Sequence, residues 1–351
     1  MEITSNPMTH GGDPGSEQTS EAFVADGLTD PSAGMVLHRV LALSARTFLM
    51  NDLGTELVDE RRRAGLSDAL ATVLAAPPVW DSASLKRGGL TPPARGEDRI
   101  ERIHQSRVAM RRIRSNLRTF RLLLDPSWET TLRAELAWYG NELGRTRDLD
   151  LLADLVDRQG PDVLDDADVA ALSDVVDERR AGAMARISRE QAGPRRFELT
   201  EQMLVLWEGP AFKSKAARPA DEVLPKMLGR AWRDVRGAAR TAKKSTTELH
   251  LHQLRIRLKD LRYGCETVAL VAGGPARKTG KAAERLQARL GDLHDAALSI
   301  EWLEALATER PDLAAPARRL ADAQRVVAAS TRKGWKDDLK DVERRWRSWQ
   351  G

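Results

Sequence analysis

The sequence has one cysteine, Cys265, in 351 residues, which excludes an intrachain disulfide framework and a cysteine-rich zinc site. Aromatic residues make up only 5% of the chain, with two Tyr and five Phe. Strands favour aromatic and β-branched residues, so a β-sandwich or barrel is not expected. No run approaches the ~18 apolar residues that a membrane-spanning helix requires. No basic segment leading into an apolar run opens the chain, as a secretory signal would. What remains is the expectation of a cytosolic, mainly helical protein, long enough to bury a sizeable core.

Basic charge is missing from one region altogether. Residues 1–35 hold six acids (Glu2, Asp13, Glu17, Glu21, Asp26 and Asp30) and no Lys or Arg. With an overall net charge of +4, the remainder therefore carries +10. Its cations are lopsided, 44 Arg against 12 Lys. Arginine grips phosphate with a planar, permanently charged fork, so a polyanionic partner is the first hypothesis.

The pattern along the chain sets the domain expectations. Residues 1–35, rich in Gly, Ser, Thr, Pro and acids, read as a disordered acidic tail. Apolar residues at helical spacing then run from Met35 to the basic cluster Arg61–Arg63. A Pro- and Gly-rich stretch at 76–97 reads as a mobile loop or insertion. Helical patterns follow at about 98–124, 127–157, 165–191 and 196–207. A Lys/Ala/Pro-rich linker covers 211–220. Helices resume at about 221–243, 246–271, 279–307 and 312–348, and no segment reads as a strand.

The strongest feature is a repeat. His104, Arg107, Arg111 and Arg114 map onto His252, Arg255, Lys259 and Arg262 with a constant offset of 148. About 36 residues further on, Leu143-Gly144-x-x-x-Asp148 maps onto Leu290-Gly291-x-x-x-Asp295 with an offset of 147. The chain is read as a tandem duplication, 36–210 and 220–348. On a helix, His104, Arg107, Arg111, Arg114, Arg118 and Arg121 fall on one stripe about 25 Å long, free of acids. A single such stripe is most simply a solvated helix face. Two at a fixed offset, each headed by a histidine, favour a ligand with many negative charges, because like charges on one face repel.

Other chemistry is poorly served. Each motif offers one histidine and places Arg where a metal would need carboxylates, so metal ligation is not expected, His250 included. There is no Gly-rich phosphate loop, no nucleophile beside a base and no acidic cluster for Mg²⁺, so no catalytic residue and no cofactor are assigned. Histidines among arginines should be mostly neutral at pH 7. Gly144 and Gly291, each costing a helix about 1 kcal/mol, are expected to permit close helix approach. Asp148 and Asp295 are expected to hold an Arg or His of the stripe. Lys226, Arg230, Arg233 and Arg240 read as a plain solvent face, and Trp138, Trp232 and Trp302 as core.

These residues resemble a known family. His104-x-x-Arg107-x-x-x-Arg111-x-x-Arg114 with Leu143-Gly144-x-x-x-Asp148, and Leu251-His252-x-x-Arg255-x-x-x-Lys259-x-x-Arg262-Tyr263 with Leu290-Gly291-x-x-x-Asp295, look like the conserved-histidine α-helical domain, CHAD. The resemblance covers about 36–348. It implies an all-α fold of two four-helix bundles related by a pseudo-twofold axis around a basic central pore that binds inorganic polyphosphate. Carried over, the lining is His104, Arg107, Arg111, Arg114, His252, Arg255, Lys259 and Arg262, with Arg118 extending the stripe. Nothing here is similar to the CYTH triphosphatase-type domain that accompanies some members, so non-catalytic binding is expected. The rival from another class is a nucleic-acid-binding or granule-associated scaffold protein using the same surface.

Overall fold

Local capping chemistry sets the element boundaries. The computed structural model describes residues 31–51, 60–76, 85–86, 88 and 90–350. Ser32 opens helix α1 (Ala33–Met50), its hydroxyl accepting from Met35 N. Nearly all of α1 is buried, so it forms the centre of the first half. Helix α2 follows (Glu60–Ala75). Asp98 caps α3 (Arg99–Thr119), and Asp125 with Pro126 starts the 38-residue α4 (Pro126–Val163). Helices α5 (Asp166–Gln191) and α6 (Pro194–Glu208) complete the first half. The second half consists of α7 (Ala220–Lys244), α8 (Glu248–Ala272), α9 (Gly274–Glu309), α10 (Ala314–Thr331) and α11 (Trp335–Gln350). The all-α class expected from the sequence is what the chain adopts. Among the described residues only two isolated bridges, Ser32 with Pro219 and Leu124 with Phe212, interrupt it. No helix among them is long and apolar enough to cross a membrane.

Packing partners recur in the two halves. In the first, α3 lies against α1 and α4, and α4 against α5 and α6. In the second, α8 lies against α7 and α9, and α9 against α10 and α11. The halves share the main apolar core and also join along two seams. One is the contact of α3 with α8, closed by Arg112–Glu266 at 3.1 Å, Arg118–Asp260 at 2.8 Å and a Thr267-to-Asn116 hydrogen bond of 2.7 Å. Gly264 sits in this seam, where an added Cβ would stand 3.2 Å from Thr119 Cγ2 and 2.6 Å from Leu228 Cδ1. The other seam is a separate apolar cluster at the far ends of the long helices, joining Leu152, Val156, Leu172 and Val176 to Leu303, Leu306, Leu320 and Ala321.

Several boundaries differ from the sequence reading. The first helix does not continue to Arg63. It stops at Asn51, whose amide donates to the carbonyls of Thr47 and Ala94 (both 2.8 Å) while its carbonyl oxygen accepts from Gly96 N. The tail expected over 1–35 ends earlier, since α1 already begins at Ala33; residues 1–30 lie outside the described residues. Of the stretch at 76–97, Leu85 and Leu90 are buried in the main core, so its described part packs rather than swings free; 77–84, 87 and 89 lie outside. The pattern at 312–348 is two helices, not one. The chain breaks at Gly334, which has φ +89° and leaves room for the Arg289 guanidinium 3.5 Å from where a Cβ would be. Cys265 is fully buried, and burial pushes its thiol pKa up. Trp232 is buried, Trp138 and Trp302 pack on the edges of the two cores, and Lys226, Arg230, Arg233 and Arg240 are exposed.

Candidate functional site

The two repeated motifs meet at one cavity. Its volume is about 470 Å³, and it lies among α3, α4, α8 and α9. From α3 come His104, Arg107, Arg111 and Arg114, and from the N-terminal half of α8 come His252, Arg255 and Lys259. Helix α4 contributes Arg145, Arg147 and Asp148, and α9 contributes Gln287, His294 and Asp295. Seven cationic side chains thus face two carboxylates. The seam takes Arg112, Asn116 and Arg118 of α3 and Asp260, Glu266 and Thr267 of α8, so each stripe lines the cavity only along part of its length.

Two expected members lie elsewhere. Arg118 donates to Asp260 across the seam at 2.8 Å. Arg262 is held by Glu266 at 3.2 Å and Glu284 at 2.7 Å, with its guanidinium over the Tyr263 ring. Both cations have carboxylate partners within the chain, and neither lines the cavity. His250 is also outside, its ring nitrogen donating to the Ser245 carbonyl.

The motif glycines do something other than expected. Neither admits a neighbouring helix backbone. The space above Gly144 holds the Arg107 guanidinium, 3.6 Å from where a Cβ would be, and that above Gly291 holds Arg255 at 3.5 Å. Each arginine packs its guanidinium against the helix of the second motif. Arg107 Nη1 donates to the Leu143 carbonyl at 2.5 Å. Asp148 and Asp295 line the cavity but form no ion pair with the stripe, contrary to the expectation that they grip it. Their charges nonetheless bear on Arg107 and Arg255 respectively.

Burial governs the protonation of this cavity. Arg107 is pulled down to about 10 by desolvation and then by Arg111, so it keeps its charge at neutral pH. Lys259 falls to about 7, through desolvation and then through Arg255, Arg111 and Arg107. Desolvation lowers His104 and His252, and it brings His294 to about 4, aided by His252, Arg255 and Lys259. Asp148 and Asp295 are raised by desolvation. Arg114 Nε, Arg255 Nε, His252 Nδ1 and Gln287 Oε1 are buried with no hydrogen-bond partner. Buried polar atoms are costly to leave unpaired.

Sequence reasoning passed over Arg147 and His294. The signal was present: each directly precedes its motif aspartate, and the pair keeps the offset of 147.

Comparisons with known proteins bear on the fold. A sequence model described as the CHAD domain matches residues 89–304. A crystal structure of the CHAD domain from the plant Ricinus communis is similar with a TM-score of 0.64 and 19% identity, over 92% of this chain and 95% of that one. PptA from Streptomyces chartreusis is similar with a TM-score of 0.56 and 20% identity, over 90% of this chain and 99% of that one. No curated protein matches the sequence at a significant level.

Proposed function

We propose, from the premise that the chain belongs to the CHAD domain family, that it binds inorganic polyphosphate in this cavity and does not turn it over. The observation that carries the reading is the set Arg111, Arg114, Arg147, Arg255 and Lys259. These five cations come from three helices and both halves, face one space, and form no ion pair among the described residues. Holding like charges together without counterions is unfavourable, and a linear polyanion supplies the missing charge along its length. Arginine forks and a lysine point charge are suited to successive phosphate oxygens. Each half of the site would grip the same chain, in keeping with a pseudo-twofold relation between the halves.

Two features of the lining favour this ligand over nucleic acid and over a reaction. It contains no Trp, Tyr or Phe, whereas binding single-stranded nucleic acid relies on aromatic platforms for its bases. It also contains no Ser, Thr or Cys nucleophile, and two separate aspartates are its only acids.

The test is a competition at equal phosphate concentration and fixed salt, since all such binding weakens as salt rises. Long-chain polyphosphate should displace duplex DNA or single-stranded RNA, and no phosphate should be released with Mg²⁺ or Mn²⁺ present. Displacement of bound polyphosphate by DNA at comparable concentration would overturn the ligand assignment, and phosphate release would overturn the non-catalytic one.

A further inference from the structure

His252 on α8 and His294 on α9 lie with ring centroids 4.3 Å apart and planes tilted by 49°. Two imidazoles in contact cannot both carry a proton cheaply unless an anion lies against them. Among the described residues no carboxylate is paired with either ring. His252 Nδ1 is buried without a hydrogen-bond partner, so no carboxylate or carbonyl supports a second proton there. Asp295 follows His294 in the sequence and lines the same cavity, yet forms no ion pair with either ring.

The surroundings are mainly cationic, with Asp295 on α9 and Asp148 on α4 the acids of the lining. Helix α8 adds Arg255 and Lys259, α3 adds His104, Arg107, Arg111 and Arg114, and α4 adds Arg145 and Arg147 beside Asp148. Helices α10 and α11, which also pack on α9, contribute nothing to the lining. The repeat makes the arrangement lopsided. Where α9 carries His294, the equivalent position on α4 carries Arg147, whose charge is permanent. One half of the cavity is therefore always charged at this position, and the other half is charged only when an imidazole gains a proton.

We propose that His252 and His294 form a proton-coupled anion clamp: a polyphosphate segment entering the cavity lies against the pair and brings one proton onto it. The inference rests on the polyphosphate reading and deepens it, because it adds His294 as a binding residue and makes the site's grip depend on pH.

The sign follows from the groups named. In the free protein both rings are held below the usual histidine range, His294 at about 4. A bound polyanion favours the charged form and raises them. Between about pH 4 and the ordinary histidine value near 6.5, binding therefore takes up a proton, and affinity rises as pH falls. Lys259, at about 7, already holds its proton through most of this window. His104, lowered by desolvation, and Asp148 and Asp295, raised by burial, are the other cavity groups able to gain protons there.

The experiment is calorimetric titration of the full chain with inorganic polyphosphate at pH 5.5 and pH 6.5, at constant ionic strength. Each titration is run in two buffers of different ionisation enthalpy, so that the heat difference counts protons. The internal phosphates of the ligand stay ionised throughout, so the protons counted belong to the protein. The native chain should take up protons and bind several-fold more tightly at pH 5.5. His294→Gln and His252→Gln should each lose about half a proton or more of that uptake, and their affinities should change less than twofold between the two pH values. Arg147→His, which adds a titrating ring to the other half, should increase the uptake and steepen the pH dependence. Proton uptake in His294→Gln and His252→Gln equal to that of the native chain would overturn the clamp while leaving polyphosphate binding intact. No binding of polyphosphate at either pH would overturn both.

Discussion

Lys259 shows how one side chain records the character of its site. It is held at about 7 by burial and by Arg255, Arg111 and Arg107, with no carboxylate in contact. A bound polyanion should return it toward the ordinary lysine value of about 10.4. Above pH 7 the free protein has lost that proton, so binding must restore it, and affinity should fall as pH rises from 7 to 9. In Lys259→Arg the charge is permanent, so the fall over this range should largely vanish. Binding isotherms at pH 7, 8 and 9 decide the matter, and an equal slope in both proteins would contradict this account of Lys259. Removal of the charge is a separate prediction. Arg111→Ala and Lys259→Ala should each weaken polyphosphate binding by about 1–3 kcal/mol, the worth of a charge-assisted hydrogen bond, and leave the fold intact. Arg118→Ala should weaken binding far less and lower stability instead, because Arg118 is spent on Asp260. That difference was not legible in the sequence. Arg118 continues the stripe in register, but its partner lies 142 residues away and is brought near only by the seam between α3 and α8.

At the level of helices, the glycines separate two kinds of close approach. Gly264 is where α8 meets α3 and α7, and a Cβ there would collide with Leu228 and crowd Thr119. Gly264→Ala should destabilise by about 1–3 kcal/mol, as overpacking does. A Cβ at Gly144 or Gly291 meets only guanidinium atoms at ordinary contact distance, 3.6 and 3.5 Å. Gly144→Ala and Gly291→Ala should therefore recover up to about 1 kcal/mol of helix propensity each. Denaturant unfolding of the three variants checks the contrast, and destabilisation by all three alike would contradict it. The sequence showed that Gly144 and Gly291 matter, through the repeat, but not why, because the group each accommodates sits on another helix. Helix starts were easier to read than helix ends. Asp125-Pro126 and Asp98 are local signals with local partners. The stop at Asn51 depends on Ala94 and Gly96, more than forty residues on, and the break at Gly334 depends on Arg289 from α9. Arg147 and His294 went unread because each lies between motif positions, where only comparison of the two copies picks it out.

At the scale of the whole molecule, two repeated motifs far apart in sequence line one cavity only when the chain folds. The constant offset in the sequence already placed the two His/Arg helices in equivalent positions, and the structure brings four motif residues of one and three of the other to a single cavity. What the sequence did not reveal is how the halves are fastened, by a shared main core, by the ionic seam of α3 with α8 and by the second apolar cluster of α4, α5, α9 and α10. Between these fastenings the cavity cations repel one another across the two halves. A ligand that binds the folded form alone stabilises it by about 2.7 kcal/mol at a hundredfold excess over its Kd. The most direct test of a continuous site served by both halves is thermal unfolding with long-chain polyphosphate or orthophosphate at the same total phosphate, in low and in high salt. Polyphosphate should raise Tm strongly in low salt and less in high salt, and orthophosphate should raise it only slightly, because a single phosphate cannot span both sets of cations. Equal stabilisation by the two ligands would contradict the account and point instead to scattered single-anion sites.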